Sequence, residues 1–198
     1  MMSALRKQPV QPRARVTIEQ IVEAAAQLIE ERGLPGYNTN AVAARAGISI
    51  GSLYQYFPGK DAIMVALARR ETAGLRGDIR DARLDPGSRE ALIRLIDATV
   101  RYQLRRPALA RVIDLEEGRL ARGGYETIAA TLREAVVGAL RRPGMRRLAD
   151  PDIAVDDLIA IVTGMIDAAA MRGERDAAAL ARRVRAAAFG YLDRAQTA

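Results

Sequence analysis

The chain has 198 residues, 49% hydrophobic and 28% charged, with a formal net charge of +7. That composition can build a core and favours polyanionic partners such as nucleic acid or anionic lipid. With no cysteine and no histidine it excludes disulfides, thiolate metal sites and any triad with a histidine base, and leaves a metal only carboxylate ligands.

No apolar run of about 18 residues spans a membrane, and no apolar signal core follows Arg6 and Lys7, so the expected setting is the cytoplasm. Residues 1–15 carry Arg6, Lys7, Arg13 and Arg15 around Pro9 and Pro12 without periodicity, and are predicted to form a flexible basic arm. Thr17 with Gln20 has the spacing of a capping box, after which Ile18, Ile21, Val22, Ala25, Leu28 and Ile29 follow helical spacing to Gly33. Asn38 or Thr39 can cap a short second helix through Ala46, with Val42, Ala43 and Ala46 inward. Gly47-Ile48-Ser49 then makes a three-residue turn, and Ser49 caps a third short helix in which Leu53 and Phe57 share the buried face. Pro58 and Gly59 end it. Two short helices at this spacing form a helix-turn-helix, whose second helix enters the DNA major groove with its N-terminal residues nearest the bases.

From Lys60 a longer helix places Ile63, Met64, Leu67 and Ala68 on one face, with Gly74 and Gly77 weakening its later part and Leu84 to Gly87 ending it. Helices are predicted over Ser88 to Arg105, from Pro107 through Leu120, and around Ile128 to Leu140, the last two separated by Gly123-Gly124. Two final helices, roughly 153–172 and 176–194, follow a loop and are separated at Gly173. Neither a convincing strand nor a repeat of fixed period occurs. The expected architecture is all-α with about nine helices: a three-helix helix-turn-helix domain over 16–62, a linking helix over about 60–77, and a larger helical domain over 78–198.

From Ala43 to Lys60 the ordered set Ala-x-x-Ala-Gly-Ile-Ser-x-Gly-x-Leu-Tyr-x-Tyr-Phe-x-x-Lys closely resembles the N-terminal domain of the TetR family of bacterial transcriptional regulators. The resemblance covers about the first third of the chain. It implies DNA contacts at Thr39, Ser49, Gly51, Ser52, Tyr54, Gln55, Tyr56 and Lys60, and the chemistry agrees. Thr39 and Ser49 present hydroxyls beside free helix-start amides, a good phosphate site, and Lys60 offers a point charge. Tyr54 and Tyr56 can donate to the DNA backbone or stack on sugar. Ser52 and Gln55 are placed to reach base edges, glutamine pairing with adenine bidentately. Gly51 allows close approach, and Ile50 can touch a thymine methyl. The outward face of this helix carries no arginine, so bidentate guanine readout is not expected from it.

The resemblance further implies a ligand-responsive regulator, most often a repressor, that binds a palindromic operator as a homodimer and is released by a small-molecule effector, without cofactor or catalysis. It makes 16–62 the DNA-binding domain, and from it alone come the ligand-binding and dimerisation roles of 78–198. In such proteins the last two helices pair with their counterparts, which nominates Leu158, Val162, Met165, Ile166, Leu180, Val184, Ala188 and Tyr191 for the dimer interface. Small residues at 168–170 and 186–188 would permit close crossing. The middle helices should enclose the effector, with Leu95, Ile96, Val112, Ile113, Ile128 and Leu132 among the apolar candidates and Tyr102 and Tyr125 offering polar tips. Glu116-Glu117 reads as surface charge. A non-specific architectural DNA binder or a helical interaction module is the alternative. An enzyme would need carboxylate, lysine, serine or tyrosine chemistry alone, and no paired-carboxylate or glycine-rich phosphate motif stands out.

Overall fold

Side-chain caps and left-handed glycines set several helix boundaries in the computed structural model, which describes residues 12–142 and 148–195. Among these residues are nine α-helices and no β-strand: α1 Pro12–Arg32, α2 Thr39–Arg45, α3 Ile50–Tyr56, α4 Lys60–Ala82, α5 Ser88–Arg105, α6 Pro107–Arg122, α7 Ile128–Leu140, α8 Pro151–Met171 and α9 Ala177–Arg194. The all-α expectation therefore holds. No helix among the described residues is long and apolar enough to cross a membrane.

α1 begins earlier than the capping-box spacing predicts. Thr17 Oγ1 donates to the Arg13 carbonyl one turn back, at 3.1 Å, so Thr17 lies inside the helix and does not cap it. Pro12 takes the first helical position, where the absent N–H leaves nothing unsatisfied. Residues 12–15 of the expected arm are thus helical; the rest of that arm lies outside the described residues. Gly33, at φ +63°, ends α1. Asn38, not Thr39, caps α2: its Oδ1 accepts from Ala41 N at 2.9 Å. Gly74 and Gly77 do not interrupt α4, which runs for 23 residues. Asp150 and Asp176 cap α8 and α9.

The described residues fall into two compact units, one within Met1–Thr72 and Ala108–Thr127, the other within Ala73–Pro107 and Ile128–Ala198. In the first, Ile21, Leu28 and Ile29 of α1, Val42 and Ala43 of α2, Leu53 of α3, Phe57 just past it, and Ile63, Met64 and Leu67 of α4 form one buried cluster. Leu109, Ile113 and Leu120 of α6 belong to the same cluster. α6 therefore packs with the helix-turn-helix although it lies far along the chain. Its Arg119 bridges Asp61 at the start of α4, at 2.8 Å, and Glu116, at 2.7 Å. Both carboxylates raise the affinity of that guanidinium for its proton, with Asp61 the larger influence. Glu117, expected on the surface, is only 4% exposed.

In the second unit α5, α8 and α9 bury Leu92, Leu95, Ile96, Leu158, Val162, Ile166, Leu180, Val184 and Leu192. Polar ties join these helices at the periphery: Arg185 to Asp97 at 3.5 Å, and the Tyr191 hydroxyl donating to Asp157 Oδ2 at 2.7 Å. Just beyond α7, Arg142 donates to carbonyls of Ala82 (3.1 Å), Arg83 (2.9 Å), Asp85 (2.5 Å) and Gly87 (3.4 Å). It thereby holds the end of α4 and the turn into α5, a favourable place for a cation because helix-terminal carbonyls carry partial negative charge.

Candidate nucleic-acid interface

The turn before α3 is built by backbone geometry. Gly47 adopts φ +70°, a left-handed conformation in which a side chain would be strained. Its N–H donates to Ala44 O at 3.2 Å, and the Ile48 N–H reaches Ala43 O at 3.1 Å, the paired bonds that close a helix C-terminus. Ser49 then starts α3: its Oγ accepts from Ser52 N at 3.0 Å and lies 2.9 Å from Ser52 Oγ. Leu53 and Phe57 are completely buried. Those two anchors leave Ile50, Gly51, Tyr54 and Gln55 exposed and Ser52 half-exposed.

Thr39 and Tyr54 bring their hydroxyls to 3.3 Å, linking the start of α2 to the later half of α3 through a pair of groups suited to phosphate. Tyr56 is half-buried against the core and is thus partly a packing residue. Lys60 is exposed at the first position of α4. Its carbonyl accepts a 2.6 Å hydrogen bond from the buried Tyr37 hydroxyl. Burial, then the nearby Asp61, pushes the Tyr37 phenol far above its ordinary pKa. Tyr37 was not singled out by the motif. The available signal was an aromatic residue between a Gly/Pro loop and a helix cap. Arg45, the arginine within 38–60, is held bidentately by Glu31 and touches Gln27 at 3.4 Å, so it does not supply the arginine that α3 lacks.

The nominated dimer residues divide differently from expectation. Leu158, Val162, Ile166, Leu180, Val184 and Ala188 are each at most 7% exposed within their own chain, because these stripes of α8 and α9 pack on each other and on α5. They are core of the second unit, and Met165 and Tyr191 alone of that set keep exposed surface. The outward surface on the Asp157–Tyr191 side instead presents Ile161, Gly164, Met165 and Ala168 from α8 with Ala186, Ala187, Gly190 and Tyr191 from α9.

A cavity of about 20 Å³ lies within the second unit. α5 lines it with Leu92, Leu95, Ile96 and Thr99, and α7 with Leu132 and Val136. α8 closes it with Leu158, Ile159, Val162 and Thr163. Leu95, Ile96 and Leu132 were expected there. Val112, Ile113 and Tyr125 pack instead in the first unit, and Ile128 and Tyr102 do not line the cavity.

Residues 21–67 match the family model described as bacterial regulatory proteins, tetR family. The chain is similar to the HTH-type transcriptional repressor DrrR1 of Streptomyces coeruleorubidus, 34% identical over 102 residues covering 51% of this chain and 37% of that protein. It is also similar to the HTH-type transcriptional regulator BetI of Burkholderia ambifaria, 38% identical over 74 residues, 35% of this chain and 38% of the other. The matched segment thus spans less than half the length of these relatives. Among solved structures, a TetR-like transcriptional regulator from Rhodococcus sp. RHA1 superposes with a TM-score of 0.74 at 25% identity, covering 92% of this chain and 98% of that one. The transcriptional regulator FadR from Bacillus subtilis, solved in complex with stearoyl-CoA, shares the fold at a TM-score of 0.71 and 20% identity, over 86% of this chain and 96% of the other. A capped helix-turn-helix, a family model matched across it and a fold shared over most of the chain agree: residues 21–67 carry the domain of the tetR family of bacterial regulatory proteins, in a chain that shares the fold of a TetR-like transcriptional regulator.

Proposed function

We propose that the protein is a cytoplasmic transcriptional regulator, acting as a repressor, that binds a palindromic operator as a homodimer and is released by a small-molecule effector. The observation that carries this is α3 itself. A seven-residue helix is too short to persist alone, its anchors Leu53 and the C-cap Phe57 are fully buried, and Ser52, Tyr54 and Gln55 leave hydroxyl, phenol and amide groups accessible with Ile50 beside Lys60. Such groups suit phosphates and base edges. Thr39, Tyr54, Tyr56 and Lys60 would position the helix, and Ser52, Gln55 and Ile50 would read.

One α3 reads only a few base pairs, so two half-sites about 34 Å apart, or a multiple, make recognition specific. The surface of Gly164, Ala168, Ala186 and Gly190 is the face we assign to the second copy, since small side chains permit close helix crossing. The effector would bind the non-operator state more tightly, and DNA would reciprocally weaken the effector. The homology to a repressor, and the ligand complex of a regulator with the same fold, support this reading.

The test is selection of binding sites by the full chain from random-sequence DNA, followed by competition of a selected labelled site with random DNA at stated salt. A palindromic selected site that random DNA displaces poorly is expected. Equal competition by both DNAs would reduce the protein to a non-specific binder.

A further inference from the structure

The lining of the cavity in the second unit specifies what can enter it. Eight of its ten residues are leucine, isoleucine or valine, and none carries a charge. The other two are threonines whose hydroxyl protons are already donated one turn back along their own helices, Thr99 to Leu95 O at 2.8 Å and Thr163 to Ile159 O at 2.8 Å. What remains for a ligand is aliphatic surface alone, since the lining shows no polar surface to the space. An ion entering here would lose its hydration and find no counter-charge.

The mouth and the closed volume say how entry happens. Leu132, Ile159 and Thr163 keep exposed surface, which places the opening along the seam of α7 and α8. That seam is tied by Arg133 Nη2 to Asp156 Oδ1 at 2.8 Å, with side chains 44% and 65% exposed, a weak, salt-screened bond. At about 20 Å³ the space holds roughly one water, whereas small apolar ligands occupy cavities nearer 150 Å³. A ligand must therefore part the walls. We propose that this cavity is the effector site and takes an uncharged, largely aliphatic molecule, admitted by separation of α7 from α8. The proposal rests on the regulator reading above and gives its effector a chemical class.

The test uses three molecules with one tail: 1-octanol, octanoate and octyltrimethylammonium, each kept monomeric and titrated calorimetrically into the full chain at neutral pH. The same additions are made to the complex with a selected operator, followed by fluorescence anisotropy. Octanol should bind at least tenfold more tightly than either ion and should release the DNA. Leu132→Trp, at the half-exposed rim, should weaken octanol at least tenfold in a chain whose circular dichroism remains that of the parent. If that variant does not fold, Leu132→Ala should instead improve 1-decanol relative to octanol.

Equal binding of the ions, no binding of any probe, or octanol binding indifferent to both Leu132 variants would overturn the site and its class. Operator release by a charged compound, unblunted by Leu132→Trp, would do the same yet leave the regulator reading standing. Octanol bound as expected without release of DNA would overturn the effector role here and in that reading alike.

Discussion

In α3 and its C-cap the two apolar anchors, Leu53 and Phe57, are completely buried and every other residue keeps some exposed surface. In α8 and α9 one face buries leucine, isoleucine and valine, and the rest of the surface shows aspartate and arginine with a stretch of alanine, glycine and isolated larger side chains. A seven-residue helix has room for one buried stripe, so whatever it does not bury is available to a partner. A 21-residue helix with neighbours on several sides can satisfy an apolar stripe within its own chain or across a subunit boundary. Burial thus marks function by elimination in the first unit, and only tertiary packing assigns it in the second.

Leu158→Glu breaks the comparison most severely. The side chain is 2% exposed, so a carboxylate there is buried without a partner, and a loss of about 3–5 kcal/mol is expected. Circular dichroism and ultracentrifugation should show an unfolded or aggregated second unit; a well-folded monomer would return Leu158 to the subunit interface. In the first unit the expected effects fall on DNA. Gln55→Ala should change preference at one base position by about 1–3 kcal/mol, whereas Lys60→Ala should weaken all sites alike and lower the salt slope by about 1. A change of sequence preference in the Lys60 variant would remove it from the phosphate contacts.

Smaller again is Tyr37→Phe, which deletes the bond to the Lys60 carbonyl and should remove about 1 kcal/mol in urea unfolding. The same phenol predicts a pH effect. Its ordinary pKa is 10.0 and its folded value is raised, so the unfolded chain loses that proton first. The stabilisation is complete below pH 10 and is lost progressively above it. Alkaline unfolding curves of the parent should show this fall, and those of the phenylalanine variant should show less of it. Least disruptive to the fold is Ala168→Glu on the exposed face of α8: within about 0.5 kcal/mol in stability, yet monomeric by ultracentrifugation. An unchanged dimer would exclude this face.

Legibility in the sequence follows the same division. Helix ends were readable at Ser49, Gly33 and Gly173, which act on backbone within a few residues, whereas the equally local cap at Asp150 starts α8 two residues before the expected position. Thr17 misled because its hydroxyl has two local uses, and the helix begun at Pro12 chose the bond to Arg13. The placement of α6 with the helix-turn-helix rests on contacts between Leu109, Ile113 and residues more than 40 positions away, which periodicity does not encode. Periodicity found the buried stripes of α8 and α9 but could not tell an internal neighbour from a second copy. Alanine sharpens that ambiguity: Ala188 is buried and Ala186 exposed, two positions apart.

Arg142 makes four carbonyl contacts with its two Nη atoms. Because these bonds converge on one rigid planar group, they cannot be surrendered one at a time by rotating a flexible stem, as an ammonium would permit. The turn from 83 to 87 should therefore open as a threshold event, closed until the guanidinium leaves and then free along its whole length. In hydrogen-exchange terms, its protected amides would share one opening rate with the last turn of α7. A lysine at 142 would keep the charge and lose that simultaneity.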